Sequence, residues 1–125
     1  MRRDQCRAVY AGDFDEFRKG DAERSTDVFA GAVCVFYDAD DRAEYIEVTR
    51  DFGVRPILDG VAVLEGKPAR VVASIARLDE PVEEDPGCCY TFTLLDLALW
   101  RPVADDQGEY RTFITVGVGR PGYFS

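Results

Sequence analysis

Val33-Cys34-Val35-Phe36, an acidic turn, and Glu44-Tyr45-Ile46-Glu47-Val48 read together as one β-hairpin. The pattern recurs as Leu97-Ala98-Leu99-Trp100, a second acidic turn, and Thr112-Phe113-Ile114-Thr115-Val116. The outgoing strands start 64 positions apart and the returning strands 68, so the second turn is four residues longer. Turn length is the part of a hairpin that varies most freely. Strand, acidic turn and strand recurring in order predict a tandem repeat, with repeat one over 1–52 and repeat two over 57–125 of a single domain.

Outward from the first hairpin, Arg2–Ala11 reads as a helix ended by Gly12, with Cys6, Val9 and Tyr10 sharing one face. Asp13 is placed to cap a short helical turn, with Glu16 at N3, Phe14 and Phe17 on one side and Gly20 at its end. Asp21–Thr26 reads as a polar loop. Beyond the hairpin, Asp59-Gly60 is a turn and Val61–Leu64 a short strand. Pro68 suits the first helical position, and Val71, Ile75 and Leu78 at i, i+4 and i+7 extend a helix over Pro68–Leu78. Asp79–Gly87, rich in Glu, Asp and Pro, reads as a solvated connector. The expected fold is α+β, with one mostly antiparallel sheet and helices on one face. Val33, Val35, Ile46, Val48, Leu97, Leu99, Ile114 and Val116 should meet the helices. The helix at Arg2 has no N-cap before it, so the natural reading frame is expected to begin upstream, with Met1 internal. An N-terminally extended chain would then melt higher.

A chain of 125 residues is long enough to bury a core without disulfides or metal. Its net charge of −9 repels phosphate backbones and anionic lipid, which argues against nucleic acid and membrane surfaces as partners. No apolar run approaches the roughly 20 residues that a membrane span needs. Arg2, Arg3, Asp4 and Arg7 leave no apolar signal-peptide core. The expected compartment is the cytoplasm, where the four cysteines stay reduced.

The chain has no histidine, which removes the commonest general base near neutral pH and every triad that depends on it. Cys88-Cys89 lacks the spacing of a zinc site, and Cys6 and Cys34 fall at patterned, structural positions. The acidic stretch before Cys88 and Cys89 should raise their thiol pKa values. Gly117-Val118-Gly119-Arg120-Pro121-Gly122 spells the dinucleotide fingerprint, but no helix follows to receive a pyrophosphate. Asp38, Asp40 and Asp41 suggest a calcium loop, yet its sixth position is Ala43 and its twelfth Thr49. Hairpin-turn chemistry explains these aspartates better. No metal and no cofactor is expected.

Met1-Arg2-Arg3-Asp4-Gln5-Cys6, Ala8-Val9 and Gly12 resemble a known helix start. The likeness is to the β-lactamase inhibitory protein family and the small SmpA/OmlA outer-membrane assembly lipoproteins, where Gly-Met-(Ser/Thr) opens a helix. Arg2 stands where that family has Ser or Thr. Asp96–Trp100 and Gly119–Phe124 also resemble small actinobacterial proteins. The family resemblance implies helices packed on one face of an antiparallel sheet in tandem repeat, and protein binding through the sheet.

Alternation sends Tyr45, Glu47, Phe113 and Thr115 away from the helices, together with Cys34, Phe36, Ala98 and Trp100. Phe36, Tyr45, Trp100 and Phe113 should then form an aromatic patch, rimmed by Asp38, Asp40, Asp41, Asp105 and Asp106. The tail at Tyr123-Phe124, or Asp79–Gly87, could instead fold over that patch. The expected function is a non-enzymatic, acidic protein-interaction module, of inhibitor or immunity-antagonist type, with a basic protein as partner. A housekeeping domain, a homodimer and a carboxylate-based enzyme stay open as alternatives.

Overall fold

The computed structural model describes residues 1–9, 14–18 and 24–125. It is an α+β domain built on an eight-stranded sheet in which every neighbouring pair is antiparallel. In chain order the strands are β1 (Phe14–Phe17), β2 (Thr26–Phe29), β3 (Val33–Tyr37), β4 (Ala43–Thr49), β5 (Ile57–Leu58), β6 (Val61–Ala62), β7 (Val82–Asp85), β8 (Cys89–Phe92), β9 (Leu97–Trp100) and β10 (Thr115–Gly119). Across the sheet the order is β1-β2-β3-β4-β10-β9-β8-β7, so β4 and β10 join a four-stranded first half to a four-stranded second half. β5 and β6 form a separate small hairpin. The helices are α1 (Arg3–Val9) and α2 (Pro68–Ala76).

β3 and β4 pair as expected, Val33 opposite Val48 and Val35 opposite Ile46. Their turn is made by Asp38, whose Oδ1 accepts the backbone N–H groups of Asp40 (2.9 Å) and Arg42 (3.0 Å). Asp41 completes it at φ 62°, a left-handed conformation that Asp tolerates. The start of α1 is tied to this turn, with the Arg3 N–H donating to the Asp41 carbonyl at 2.9 Å. The Gln5 side chain accepts the Arg2 N–H at 2.8 Å, half of a capping box.

Directly opposed residues share a face, so Val33, Val48, Val116 and Leu99 form one row across the middle of the sheet. Both apolar clusters draw their strand residues from this Val48 face. One joins Val71 and Ile75 of α2 to Phe92, Leu97, Leu99 and Val116, with Val63, Leu64 and Phe113. The other joins Cys6 of α1 to Phe29, Val33, Val35 and Tyr37. Val48 packs against both. Each such side chain, fully buried, contributes roughly 1.5–3 kcal/mol.

Several expectations need correction. Phe14–Phe17 is not a helical turn but the edge strand β1, held by the pairing of Phe14 with Phe29 and their ring contact at 5.9 Å. Gly12, Asp13 and Gly20, the expected stop and caps, lie outside the described residues, as does the stretch 10–11 of the first helix. Thr26, assigned to a loop, opens β2. Only Val61 and Ala62 of the expected strand Val61–Leu64 pair, and they pair with β5 outside the main sheet. α2 ends at Ala76, and Leu78 is half exposed because the chain turns there. Asp79–Gly87 is not a plain connector, since Val82–Asp85 is the outer strand β7 on β8. Its four exposed, mostly acidic residues blunt an otherwise open sheet edge. Ile46 is 38% exposed rather than buried.

The second hairpin is displaced. β9 pairs with Thr115–Gly119, so Leu99 faces Val116 and Trp100 faces Thr115. Thr112 to Ile114 precede the strand. The Ile114 N–H reaches the Trp100 carbonyl at 2.9 Å, and Thr112 Oγ1 accepts from Arg50 at 2.7 Å.

Candidate functional site

The opposite face of the sheet is built from three rows. The middle row runs Val28, Cys34, Glu47, Gly117, Ala98 and Thr91, each the cross-strand neighbour of the next. Apart from Val28 and Glu47 its residues are small, and Gly117 and Thr91 are buried. On one side stand Phe36, Tyr45 and Gly119; on the other, Thr49, Thr115, Trp100 and Cys89. Of the expected aromatic residues, three are here. Phe36 and Tyr45 are half-buried with their rings 5.9 Å apart, and Trp100 is 43% exposed.

Phe113 does not belong to this face. It is wholly buried in the α2 cluster, its ring edge-on to Tyr90 at 5.8 Å. Counting parity back from Val116 placed it with Thr115, but the strand begins only at Thr115, and the irregular backbone before it turns the ring into the core.

Tyr123 and Phe124 join this face at its Tyr45 side. Tyr123 stacks on Tyr45 with centroids 5.0 Å apart and planes at 18°, and Phe124 meets Tyr45 edge-on at 6.0 Å. Asp96 holds this tail, its carboxylate accepting the N–H groups of Gly122 (3.0 Å) and Phe124 (3.4 Å). The glycines of the false dinucleotide fingerprint now have a reason. A Cβ at Gly117 would collide with the Tyr45 ring, and one at Gly119 with Tyr123. Bare backbone at both positions is the floor on which the rings lie. Burial first, then the charge of Glu47, pushes the Tyr45 hydroxyl up to about 12. Tyr123 is raised by burial and then by the charge of Glu44, with Glu47 adding less.

Four of the five aspartates of the expected rim, all but Asp40, have structural duties of differing weight. Asp38 closes its turn and pairs with Arg120 at 2.9 Å. The Arg42 N–H is the main reason its carboxyl lies below the usual range. Asp41 pairs with Arg3 at 2.8 Å. Asp105 accepts the N–H groups of Gln107 and Gly108, both at 3.1 Å. Asp106 pairs at 2.9 Å with the buried Arg101, which also bonds the carbonyls of Gly87 and Tyr110. Asp40, Asp105 and Asp106 are nonetheless exposed.

The sequence reading missed a buried ionic cluster beneath α1. Asp27 is 0% exposed and accepts from Arg7 (2.8 Å at each oxygen), from Arg3 (3.3 Å) and from the Tyr37 hydroxyl (2.9 Å). The Arg3 guanidinium lies 4.0 Å over the Tyr37 ring. Burial alone would raise the Asp27 pKa, but the hydrogen bonds from Arg7 and Tyr37 and the two positive charges hold it below the ordinary range. The arrangement anchors α1 to the sheet.

Among the described residues no group of three or more His, Cys, Asp or Glu is placed to hold a metal ion. No disulfide joins the four cysteines. The Cys89 thiol is pushed up by burial first and then by Glu84 and Asp85. No described helix is long and apolar enough to cross a membrane. A cleft of about 460 Å³ lies between Arg50, Glu65 and the Glu109–Thr112 stretch. No protein-family model, curated protein or solved structure matches the chain.

Proposed function

We propose that this protein is an acidic, non-enzymatic interaction module that binds a basic protein through the Glu47 face of its sheet. In this reading both helices cover the Val48 face, and the two halves of the sheet are the halves of a tandem repeat joined at β4 and β10. One observation carries the proposal: neither apolar cluster includes a strand residue of the Glu47 face, yet that face presents Trp100 at 43% and Tyr123 at 41% exposure. Exposed aromatic residues grouped on a broad surface are the usual anchors of protein interfaces. The resemblance to the inhibitor family implies the same use of a sheet.

Charge favours a basic partner over a second copy. Two chains of net charge −9 repel one another, whereas a basic protein is steered in. The compartment in this reading is the reducing cytoplasm.

The test is affinity capture from host lysate by the wild-type protein, Trp100→Ala, and Arg70→Glu on the exposed side of α2. A basic protein should be retained by wild type and Arg70→Glu, lost with Trp100→Ala, and released as salt exceeds a few hundred millimolar. Equal retention by Trp100→Ala, or loss with Arg70→Glu alone, would move the interface off this face.

A further inference from the structure

We propose that the cleft between Arg50, Glu65 and the Glu109–Thr112 stretch binds a small zwitterion, an α-amino acid with an apolar side chain. The site is separate from the sheet-face interface proposed above and does not rest on it.

One wall of the cleft is set by Arg50, which directly follows β4. Its guanidinium donates to Thr112 Oγ1 and to the Glu109 carbonyl, both at 2.7 Å, and so fixes the stretch 109–112 against the end of that strand. Asp51 balances its charge at 3.2 Å, and Glu65 balances Arg55 in the same way. Two charges that line the cleft are left over. The Arg111 guanidinium makes a single hydrogen bond, to the Gly108 carbonyl at 3.2 Å, and meets no carboxylate within ion-pair distance among the described residues. The Glu109 carboxylate has neither an ion pair nor a hydrogen bond among the described residues.

Because Arg111 and Glu109 do not pair with one another, a gap separates guanidinium from carboxylate. A molecule with a carboxylate and an ammonium group can bridge it, the carboxylate taking the planar fork of Arg111 and the ammonium resting on Glu109. Charge favours the same class. Arg50, Arg55 and Arg111 are matched by Asp51, Glu65 and Glu109, in a chain with 24 acidic and 15 basic residues. That local balance suits a ligand of zero net charge better than an anion or a cation. The apolar side chain follows from the adjoining recess of about 280 Å³, which shares Arg50, Asp51, Leu64 and Glu65 with the cleft and adds Val54 and Pro56. Leu64 is buried and Val54 and Pro56 are half-buried, so a branched aliphatic side chain placed there exchanges water for apolar surface. At about 460 Å³ the cleft is large enough for one amino acid.

The experiment is an NMR titration of the full chain with leucine at millimolar concentration. Two analogues each lack one charge: isocaproate has no ammonium group and isoamylamine no carboxylate. Leucine should shift the amide signals of Val54, Glu109 and Arg111, and each analogue should bind at least about tenfold more weakly. Arg111→Gln and Glu109→Gln should each weaken leucine binding about tenfold with an unchanged melting temperature, since neither side chain holds an ion partner. Arg70→Gln, on the exposed side of α2, should change it less than about twofold. No shifts at millimolar leucine, equal binding of either analogue, or equal weakening by Arg70→Gln would overturn the site. Capture of the basic partner and its loss with Trp100→Ala are read separately, so the sheet-face interface stands or falls on its own test.

Discussion

Asp27→Ala should lower the unfolding free energy by about 3 kcal/mol, the low end of the range for breaking a buried ion pair. The carboxylate is wholly buried and satisfies two guanidinium groups and a hydroxyl, so its loss leaves three donors facing an apolar gap. The effect stays near the lower bound because Arg3 keeps Asp41 and Arg7 keeps Glu16. Urea melts at neutral pH measure it. The same residue sets an acid limit. Its pKa is depressed in the folded state, so its stabilisation is present above the ordinary aspartate pKa of 3.8 and is lost as pH falls below it. Wild-type stability should therefore drop more steeply than that of Asp27→Ala on acidification below about pH 4. Parallel acid profiles would mean that Asp27 carries no linked charge.

Phe113→Ala should cost about 3–5 kcal/mol, whereas Trp100→Ala should cost less than about 1 kcal/mol. Phe113 is enclosed by the α2 cluster and its truncation leaves a cavity there, while Trp100 leaves only a dent in an exposed surface. Urea midpoints of the two variants against wild type decide it. A reversal, with Trp100→Ala the more damaging, would mean that the Glu47 face is a second core.

These two residues also show where sequence suffices and where it stops. Val33–Phe36 and Glu44–Val48 could be read as a hairpin because alternation and turn aspartates are local signals, and the pairing of Val33 with Val48 follows from them. α2 was legible for the same reason, with Pro68 at its first turn and Val71 and Ile75 one turn apart on the buried side. Phe14–Phe17 was not. Two phenylalanines three positions apart suggest a helical face, and only pairing with β2 makes a strand of them. The buried state of Asp27 was equally hidden, because it depends on Arg3 and Arg7 from α1, far back in the chain.

The candidate site was legible in part. Phe36, Tyr45, Glu47 and Trp100 follow from strand parity, but parity fails at Phe113 because it assumes a strand where the backbone is irregular. The tail was foreseen as a cover without its partner ring. The signal for that contact lay in Gly117 and Gly119, whose spacing on one face of β10 marks a floor for rings. It was obscured by its likeness to a nucleotide motif that needs a helix.

Trp100 is the chain's single tryptophan, so acrylamide quenching of its fluorescence reads the proposed interface alone. Ready quenching is expected in the isolated protein, unchanged on dilution, with strong protection once the captured basic partner is added. Protection already present in the isolated protein, or no protection in the complex, would contradict it.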